Sequence, residues 1–195
     1  HTLIGWSKPP LEVVVCDLQK NIQKEQRMIK LIVLDVDGTL TNGKLYMDDK
    51  DNSLKAFDVK DGFAIAQWIK HGGIAAIITG KTSVIVKRRV EELGIQELVQ
   101  GAGNKVAELK KILDKYQISL EETAYMGDDI NDLGVMSIVG MSAAPKNAVK
   151  EVLDRVNFIS SKNGGDGAVR EFFEKVMKEN GMWEKVVERY LNEGK

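Results

Sequence analysis

The chain has 195 residues, with 28 basic against 29 acidic side chains, a single cysteine, and no apolar run near the ~18 residues that span a membrane. This length suits one domain with a sizeable core plus short appendages, and the balanced charge gives no indication of a surface for nucleic acid or membrane. The single cysteine, Cys16, excludes an internal disulfide, and with no secretory signal recognised we expect a cytoplasmic protein.

Residues 1–27 differ from the rest and form an extension to which we assign no role. Residues 1–10 are loop-like, with a Pro9-Pro10 break. Residues 11–16 favour a short strand, and residues 17–27 permit a helix. The extension leaves open that the chain is part of a longer, bifunctional protein.

The most informative stretch is residues 31–41. The apolar run of residues 31–34 predicts a strand buried on both faces, as in a parallel sheet. Asp35 and Asp37 follow directly, and because side chains alternate along an extended chain, both carboxylates can project to the same side. Such acids repel unless a cation lies between them or one is protonated. Since Gly38 permits a sharp turn and close ligand approach, the pattern indicates a phosphate and magnesium site at a strand's carboxyl end.

Two other interpretations of this sequence are weaker. A calcium-binding EF-hand loop needs glycine at its sixth position and glutamate at its twelfth. Counted from Asp35, those positions hold Leu40 and Tyr46. A solvated turn with two surface acids leaves the buried strand before it unexplained. The phosphate site is therefore favoured, and it requires partner residues further along the chain.

The segment after this motif predicts a hairpin and a helix. Residues 42–59 contain two β-prone runs around a polar turn at residues 48–52, whose acids we interpret as solvated. Asp61-Gly62 is expected to cap a helix over residues 63–70.

A second buried strand is expected over residues 74–78, and it ends at Thr79-Gly80. The helix over residues 83–93 comes next. A threonine hydroxyl at such a strand end, close to a helix N-terminus, can hold a phosphoryl oxygen. A third short strand follows at residues 98–99.

The helix predicted over residues 105–116 begins with a lysine. Lys105 lies in the first turn, where the helix dipole disfavours a cation. Two explanations stay open: an anionic partner holds this lysine, or it is an ordinary surface residue.

Acidic residues cluster after the fourth predicted strand, over residues 123–126. Asp128, Asp129 and Asp132 lie within five residues of one another. Such crowding is unfavourable without a neutralising cation, so these residues are candidate metal ligands.

The remaining elements are a strand over 139–144, a helix over 147–155, a strand over 156–159, a glycine-rich loop over 163–167 and helical segments to residue 191. Strands that alternate with helices throughout predict an α/β fold with a parallel sheet.

The order Asp35/Asp37, Thr79, Lys105 and Asp128/Asp129 resembles the four motifs of the haloacid dehalogenase superfamily of phosphotransferases. The likeness covers roughly residues 29–174, and the short hairpin in place of a large cap domain looks like its capless branch. Four segments narrow the resemblance further: the hairpin itself and residues 58–62, 127–132 and 164–171. They resemble the 3-deoxy-D-manno-octulosonate 8-phosphate phosphatases and their relatives that act on nine-carbon ulosonic acid 9-phosphates.

The resemblance implies a Rossmann-like parallel sheet with helices on both faces. It also implies a phosphatase domain over residues 28–195, with a hairpin insertion at 42–59 after the first strand, a tail at 160–195 and no large cap. Asp35 would be the nucleophile that forms an aspartyl-phosphate, and Asp37 the general acid and base.

The resemblance further implies how charge is handled at this site. Mg²⁺ would be held by the Asp35 carboxylate, the Asp37 backbone carbonyl and the Asp128 carboxylate. Thr79 and Lys105 would offset charge on the phosphoryl group. Asp129 and Asp132 would orient Lys105 and metal-bound water.

Three cations are candidates for binding the substrate's own carboxylate: Lys60, Lys81 and Arg170. The family pattern implies arginine where Lys81 stands, and lysine cannot grip a carboxylate bidentately. The three cations favour a sugar that carries its own carboxylate, so we expect the octulosonate 8-phosphate as substrate. Because of Lys81, nine-carbon sialic acid-type 9-phosphates are the alternative.

Two further classes are considered. A non-catalytic assembly domain of a sugar-nucleotide synthetase would lack the motif acids, all of which are present here. A response-regulator receiver lacks the second acid two residues after the phosphorylated aspartate. The resemblance also implies a homotetramer in which hairpins meet at the centre and the glycine-rich tail reaches a neighbour's site. We expect a small sugar acid phosphate as the other partner.

Overall fold

The computed structural model describes residues 11–26 and 28–194. The strands are β1 Leu31–Leu34, β2 Tyr46–Met47, β3 Ser53–Leu54, β4 Ile74–Ile78, β5 Glu97–Val99, β6 Thr123–Met126, β7 Met141–Ala144 and β8 Phe158–Ile159. The helices are α1 Leu11–Gln26, α2 Val59–Lys70, α3 Val84–Leu93, α4 Lys105–Tyr116, α5 Leu133–Met136, α6 Lys150–Leu153, α7 Ala168–Glu179 and α8 Trp183–Leu191.

A parallel sheet of six strands, in the order β5-β4-β1-β6-β7-β8, forms the centre of the fold. Its central strand β1 is buried over all four residues because alternate side chains face helices on opposite sides. Ile32 and Leu34 pack with apolar residues of α2, α7 and α8. Leu31 and Val33 pack with those of α4 and α5. The predicted α/β fold with helices on both faces is confirmed, and no large cap domain occurs in the described ranges.

The order of strands reverses around β1, which pairs with β4 on one side and β6 on the other. Leu34, the last residue of β1, lies opposite Ile77 and Met126. The backbone N–H of Asp35 then donates to the carbonyl of Met126 at 3.0 Å. The segments that leave β1, β4 and β6 therefore emerge together at one edge of the sheet, where open α/β sheets bind ligands.

The predicted hairpin is present and short, since β2 and β3 each contain two residues. Its polar turn is held by the Asp48 carboxylate, which accepts from the backbone N–H groups of Lys50 and Asn52. This contact supports the solvated interpretation of the turn's acids.

Helix α2 begins four residues before the predicted start, at Val59. Asp58 is its N-cap, and its carboxylate accepts from the N–H groups of Lys60 and Asp61. The predicted cap at Asp61 is wrong, because Asp61 lies inside α2 and the extended backbone of an N-cap is found at Asp58.

Three predicted elements in the second half of the sheet have wrong bounds. Strand β8 begins at Phe158 and not at residue 156, because the N–H of Val156 still donates to the carbonyl of Val152. Strand β7 begins at Met141 and not at residue 139, because the N–H of Val139 still donates to Val135 of the preceding helical segment. Helix α6 spans only Lys150–Leu153, because Asn147 instead accepts from the N–H of Gly164. The short helical turns at residues 130–136 were not anticipated.

The strand expected over residues 11–16 is also wrong, because these residues form the first turns of α1. Valine disfavours a helix by less than ~1 kcal/mol per residue, which the good helix formers of residues 18–26 outweigh. The predicted loop over residues 1–10 lies outside the described residues. Over residues 11–26 and 28–194, every helix is too short or too polar to cross a lipid bilayer.

Candidate active site

The carboxyl edge of the sheet brings together the residues that the sequence predicted from four separate segments. Asp35 follows β1 directly and is 6% exposed, and Thr79 follows β4 and is 3% exposed. Lys105 opens α4 and is also buried. Asp128 lies two residues after β6. The sheet register therefore produces the predicted cluster.

Lys105 lies at the centre of this cluster. Its ammonium Nζ is 2.9 Å from Asp35 Oδ1 and 2.8 Å from Asp132 Oδ1. Its position in the first turn of α4 is unfavourable with respect to the helix dipole, but two buried carboxylates compensate. Of the two explanations left open, the anionic partner is the one present.

Asp132 is fully buried and fully engaged. Its Oδ1 accepts from Lys105 and from the hydroxyl of Tyr125, and its Oδ2 accepts from the backbone N–H groups of Asp128 and Asp129. Asp132 thus ties the acidic loop to α4 and β6. Tyr125 was missed by the sequence reasoning, although its place on the strand before the acids was a usable signal.

Burial and neighbouring acids raise the pKa values of Asp35 and Asp128. Burial raises the pKa of Asp35, Asp132 adds to this effect, and Lys105 opposes it. Burial and the charges of Asp35 and Asp132 raise the pKa of Asp128 to about 8. Burial alone would lower the pKa of Lys105, but the charges of Asp35 and Asp132 raise it. The negative charges of the clustered aspartates therefore exceed the single positive charge of Lys105.

Oxygen atoms of Asp35, Asp128 and Asp132 lie within 4.8 Å of one another. Gly38 allows this approach, since a Cβ on it would lie 1.9 Å from Asp128 Oδ2, and its φ of +89° suits glycine. Clustered carboxylate oxygens are the donors that hard divalent cations prefer. The geometry therefore fits a metal centre between the ends of β1 and β6.

Asp37 lies at the outer side of this centre and pairs with a lysine that the sequence reasoning missed. Lys55 Nζ lies 2.5 Å from Asp37 Oδ1, and the side chains are 13% and 26% exposed, respectively. Lys55 directly follows β3, so the hairpin of the same chain reaches the site. No local sequence signal indicated this contact, because it depends on how the hairpin folds back.

Asp129 was predicted to orient Lys105, but the two are not hydrogen-bonded in the described part of the chain. Its carboxylate accepts from the N–H of Ile130 at 2.7 Å, which makes it the N-cap of the following 3₁₀ turn. The residue is exposed. Asp132 holds the position next to Lys105.

The three predicted substrate-binding cations do not share one cleft. Lys60 and Arg170 line a cleft of about 360 Å³ with Lys162, whereas Lys81 lies on the exposed segment after β4 and does not line it. Arg170 Nε donates to Glu174 at 2.6 Å. The Arg170 guanidinium also lies over the rings of Phe63 and Trp183. Lys60 is thus the more available cation.

The glycine-rich loop of residues 163–167 packs against its own chain. A Cβ on Gly164 would lie 1.9 Å from the carbonyl oxygen of Gly38, and Gly165 N–H donates to the carbonyl of Thr39 at 3.2 Å. Only glycine permits this approach. The loop therefore connects the motif around Asp37 with the cleft that contains Lys60.

This chain is similar to known hydrolases in both sequence and structure. A family model of haloacid dehalogenase-like hydrolases matches residues 93–172. A 3-deoxy-D-manno-octulosonate 8-phosphate phosphatase from Escherichia coli is 37% identical over 167 residues, which cover 85% of this chain and 89% of that protein.

Solved structures of this kind also superpose well. The 3-deoxy-D-manno-octulosonate 8-phosphate phosphatase from Moraxella catarrhalis, in complex with magnesium ion, phosphate ion and KDO, has a TM-score of 0.82 at 34% identity and covers 87% of this chain and 98% of its own. A probable yrbi family phosphatase from Pseudomonas syringae has a TM-score of 0.84 at 40% identity, with coverages of 89% and 98%. These similarities extend well beyond the sheet edge that carries the acids.

Proposed function

The chain belongs to the 3-deoxy-D-manno-octulosonate 8-phosphate phosphatase family of haloacid dehalogenase-like hydrolases, and we propose that it hydrolyses a phosphorylated ulosonic acid with the help of Mg²⁺. The observation that carries the proposal is the buried Asp35 carboxylate, placed between Lys105 and the acidic cluster at the carboxyl edge of the sheet. The eight-carbon octulosonate 8-phosphate is the preferred substrate, and nine-carbon 9-phosphates are the alternative.

We assign the nucleophile to Asp35. One of its carboxylate oxygens bonds to phosphorus while the bond from phosphorus to the sugar oxygen breaks, which leaves an aspartyl-phosphate. Lys105, already 2.9 Å from Asp35, orients the attacking carboxylate and offsets charge on the phosphoryl group. Thr79 supplies a hydroxyl at the neighbouring strand end.

We assign proton transfer to Asp37. In the first step it gives its proton to the leaving sugar oxygen. In the second step it accepts a proton from water as the water oxygen attacks phosphorus. The bond to Asp35 then breaks, inorganic phosphate leaves, and both aspartates return to their starting forms.

The Asp35 and Asp128 carboxylates and the Asp37 backbone carbonyl would hold Mg²⁺. The donor set fits, because these are hard oxygen atoms and the buried acids lack compensating charge, as the raised pKa of Asp128 indicates. Asp132 lies in the same cluster, but its oxygens already accept from four donors, so we assign it to orientation. When bound, the ion supplies positive charge beside the phosphoryl group.

We further propose that Lys60 and Arg170, which line one cleft, favour an acidic sugar, and that Lys81 adds charge from the segment after β4, outside that cleft. Lys60 and Arg170 line the cleft next to the glycine-rich loop together with Lys162, and four acids, Asp58, Asp166, Glu171 and Glu174, line it too. Asp58, Glu171 and Glu174 already accept hydrogen bonds from their own chain, so the lysines of this cleft are the cations that would meet a leaving group's carboxylate. Because Arg170 is held by Glu174, we expect Lys60 to contribute more to substrate preference.

We also propose a homotetramer, located in the cytoplasm. The hairpin exposes Leu45, Met47 and Leu54 by 63%, 77% and 71%, a concentration of apolar surface that association would cover. Light scattering tests this directly, and a monomer of 21.7 kDa at working concentration would reject it.

A panel of phosphate esters tests the function. We expect kcat/KM for octulosonate 8-phosphate to exceed that for glucose 6-phosphate by ~10²-fold or more, and chelation to abolish turnover. A preference for a nine-carbon 9-phosphate would select the alternative substrate. No turnover of any ester with Mg²⁺ present would reject the proposal and favour a non-catalytic assembly domain.

Variants then test which cation causes the preference for an acidic sugar. Lys60→Met should lower kcat/KM for the acidic sugar while sparing p-nitrophenyl phosphate, and Arg170→Ala should show the same pattern more weakly. Equal loss on both esters would mean that neither cation reads the substrate's carboxylate.

A further inference from the structure

The contact between Lys55 and Asp37 joins the hairpin to the site. These residues are 18 positions apart, and their charged groups meet at 2.5 Å. The helical pair Lys150–Asp154 is far more exposed, at 82% and 51%, whereas Lys55 and Asp37 are 13% and 26% exposed. A partly shielded pair of this kind holds its geometry better than a fully solvated one.

Asp37 has a fixed backbone but a carboxylate with few restraints. The turn after β1 is closed by N–H groups of Thr39, Leu40 and Thr41, which donate to the carbonyl of Val36. In the described part of the chain, Lys55 is the hydrogen-bond partner of the Asp37 carboxylate. The lysine therefore decides which way this carboxylate faces.

We propose that Lys55 is a positioning residue for the proton-transfer step. By holding Oδ1 of Asp37, it directs Oδ2 toward the leaving oxygen and later toward the attacking water. This inference rests on the proposed function, in which Asp37 is the general acid and base. The hairpin then contributes to the chemistry through Lys55. Turnover requires the hairpin to pack against the domain so that Lys55 reaches Asp37.

The proposal predicts a dependence on the leaving group. A p-nitrophenolate ion leaves without a proton, whereas a sugar alkoxide needs one. A misdirected Asp37 should therefore slow the first release of an alkyl alcohol and spare the first release of p-nitrophenolate. Hydrolysis of the aspartyl-phosphate needs Asp37 with either ester, so steady-state turnover should fall for both.

The experiment compares Lys55→Met with Lys50→Met, since Lys50 is an exposed lysine on the turn of the same hairpin. First-turnover release from an alkyl phosphate should slow by about tenfold to a hundredfold in Lys55→Met, as expected for a misaligned group. The first release of p-nitrophenolate should stay within about threefold, followed by a slower steady state, so that a burst appears. Lys50→Met should match the wild type, and Lys55→Arg should recover most of the alkyl rate.

A double-mutant cycle separates positioning from direct contact with the substrate. If Lys55 acts through Asp37, Lys55→Met should cause no further loss in an Asp37→Asn background. The same loss in both backgrounds, or equal slowing of both first releases, would overturn the proposal, as would a Lys55→Met protein that behaves like Lys50→Met. A wild-type chain that hydrolyses no ester would instead reject the proposed function itself.

Discussion

Two lysines contact the two carboxylates of the motif after β1, and they come from different elements of the fold. Lys105 projects from a helix into the sheet edge, where it is 6% exposed and touches two buried acids. Lys55 reaches Asp37 from a hairpin and is 13% exposed, opposite a carboxylate that is 26% exposed. The first pair belongs to the core of the fold, and the second lies at its border with solvent.

The difference separates two tasks. A nucleophile needs a fixed position and a charge-rich surrounding, which the buried contacts of Asp35 supply. A general acid and base must meet first the leaving oxygen and then the attacking water within one turnover, so it benefits from a position that water can reach. We infer that the stable part of the site is built into the sheet and that the adjustable part is carried by the hairpin.

The largest loss of activity should come from removing the carboxylate of Asp35, which Lys105 contacts. Asp35→Asn keeps the shape but removes the attacking oxygen charge, so kcat should fall by about 10⁴-fold or more. Asp37→Asn should cost about 10²–10³-fold, the usual range for general acid–base catalysis. Steady-state assays with Mg²⁺ measure both, and an active Asp35→Asn enzyme would remove Asp35 from the mechanism.

A second prediction contrasts the two lysines in stability. Lys105→Met leaves Asp35 and Asp132 buried without their cation, and such a loss typically costs about 3–5 kcal/mol of unfolding free energy. Lys55→Met should cost about 1 kcal/mol or less, because solvent reaches that pair. Chemical denaturation in EDTA gives both values. Equal values would mean that the two pairs are equally part of the core.

A third prediction concerns pH and metal at the buried side of the site. The pKa of Asp128 is raised to about 8 in the folded protein, against an ordinary unfolded value near ~3.9. The folded state therefore holds this proton more tightly, and without metal the stability should fall as pH rises from about 4 to about 8. Allowing for solvent screening, we expect a decrease of about 1–2 kcal/mol.

Millimolar Mg²⁺ should reverse this decrease, because a bound cation favours the ionised acid. Thermal unfolding near pH ~5 and pH ~8, with Mg²⁺ or EDTA, measures the effect. Asp128→Asn should abolish the response to Mg²⁺. Asp61 offers the control: burial raises its pKa to about 7 beneath the N-terminus of α7, so Asp61→Asn should change the pH dependence but keep the response to Mg²⁺.

The sequence predicted the core of the site because its signals are local. An apolar run followed by Asp35 and Asp37 predicts a strand and its functional end without knowledge of any neighbour. Lys105 was recognisable because a cation in a first helical turn needs a reason. Parallel strands then bring such ends together automatically, so motif order was enough to predict the cluster.

The parts that could not be predicted depend on tertiary contacts. Lys55 is one of three lysines on the hairpin, and only the way the hairpin packs against the domain selects it. Residues 11–16 have the composition of a strand, but they continue into a helix whose later residues decide the outcome. Likewise, the position of Lys81 after Thr79 suggested a pocket cation, and only the fold shows that Lys81 does not line the cleft that contains Lys60.

The smallest effect should come from Asp129, where sequence and structure suggest different roles. The motif implies that Asp129 orients Lys105, but its carboxylate caps the adjacent 3₁₀ turn, and Asp132 occupies the place next to Lys105. Asparagine is as good an N-cap as aspartate, so Asp129→Asn should leave kcat within about threefold of the wild type. Asp132→Asn weakens the buried contact to Lys105 and should cost about tenfold to a hundredfold. Matched steady-state assays on the same ester decide between the two roles: a tenfold or larger loss in Asp129→Asn would mean that this exposed acid turns toward Lys105 once substrate is bound.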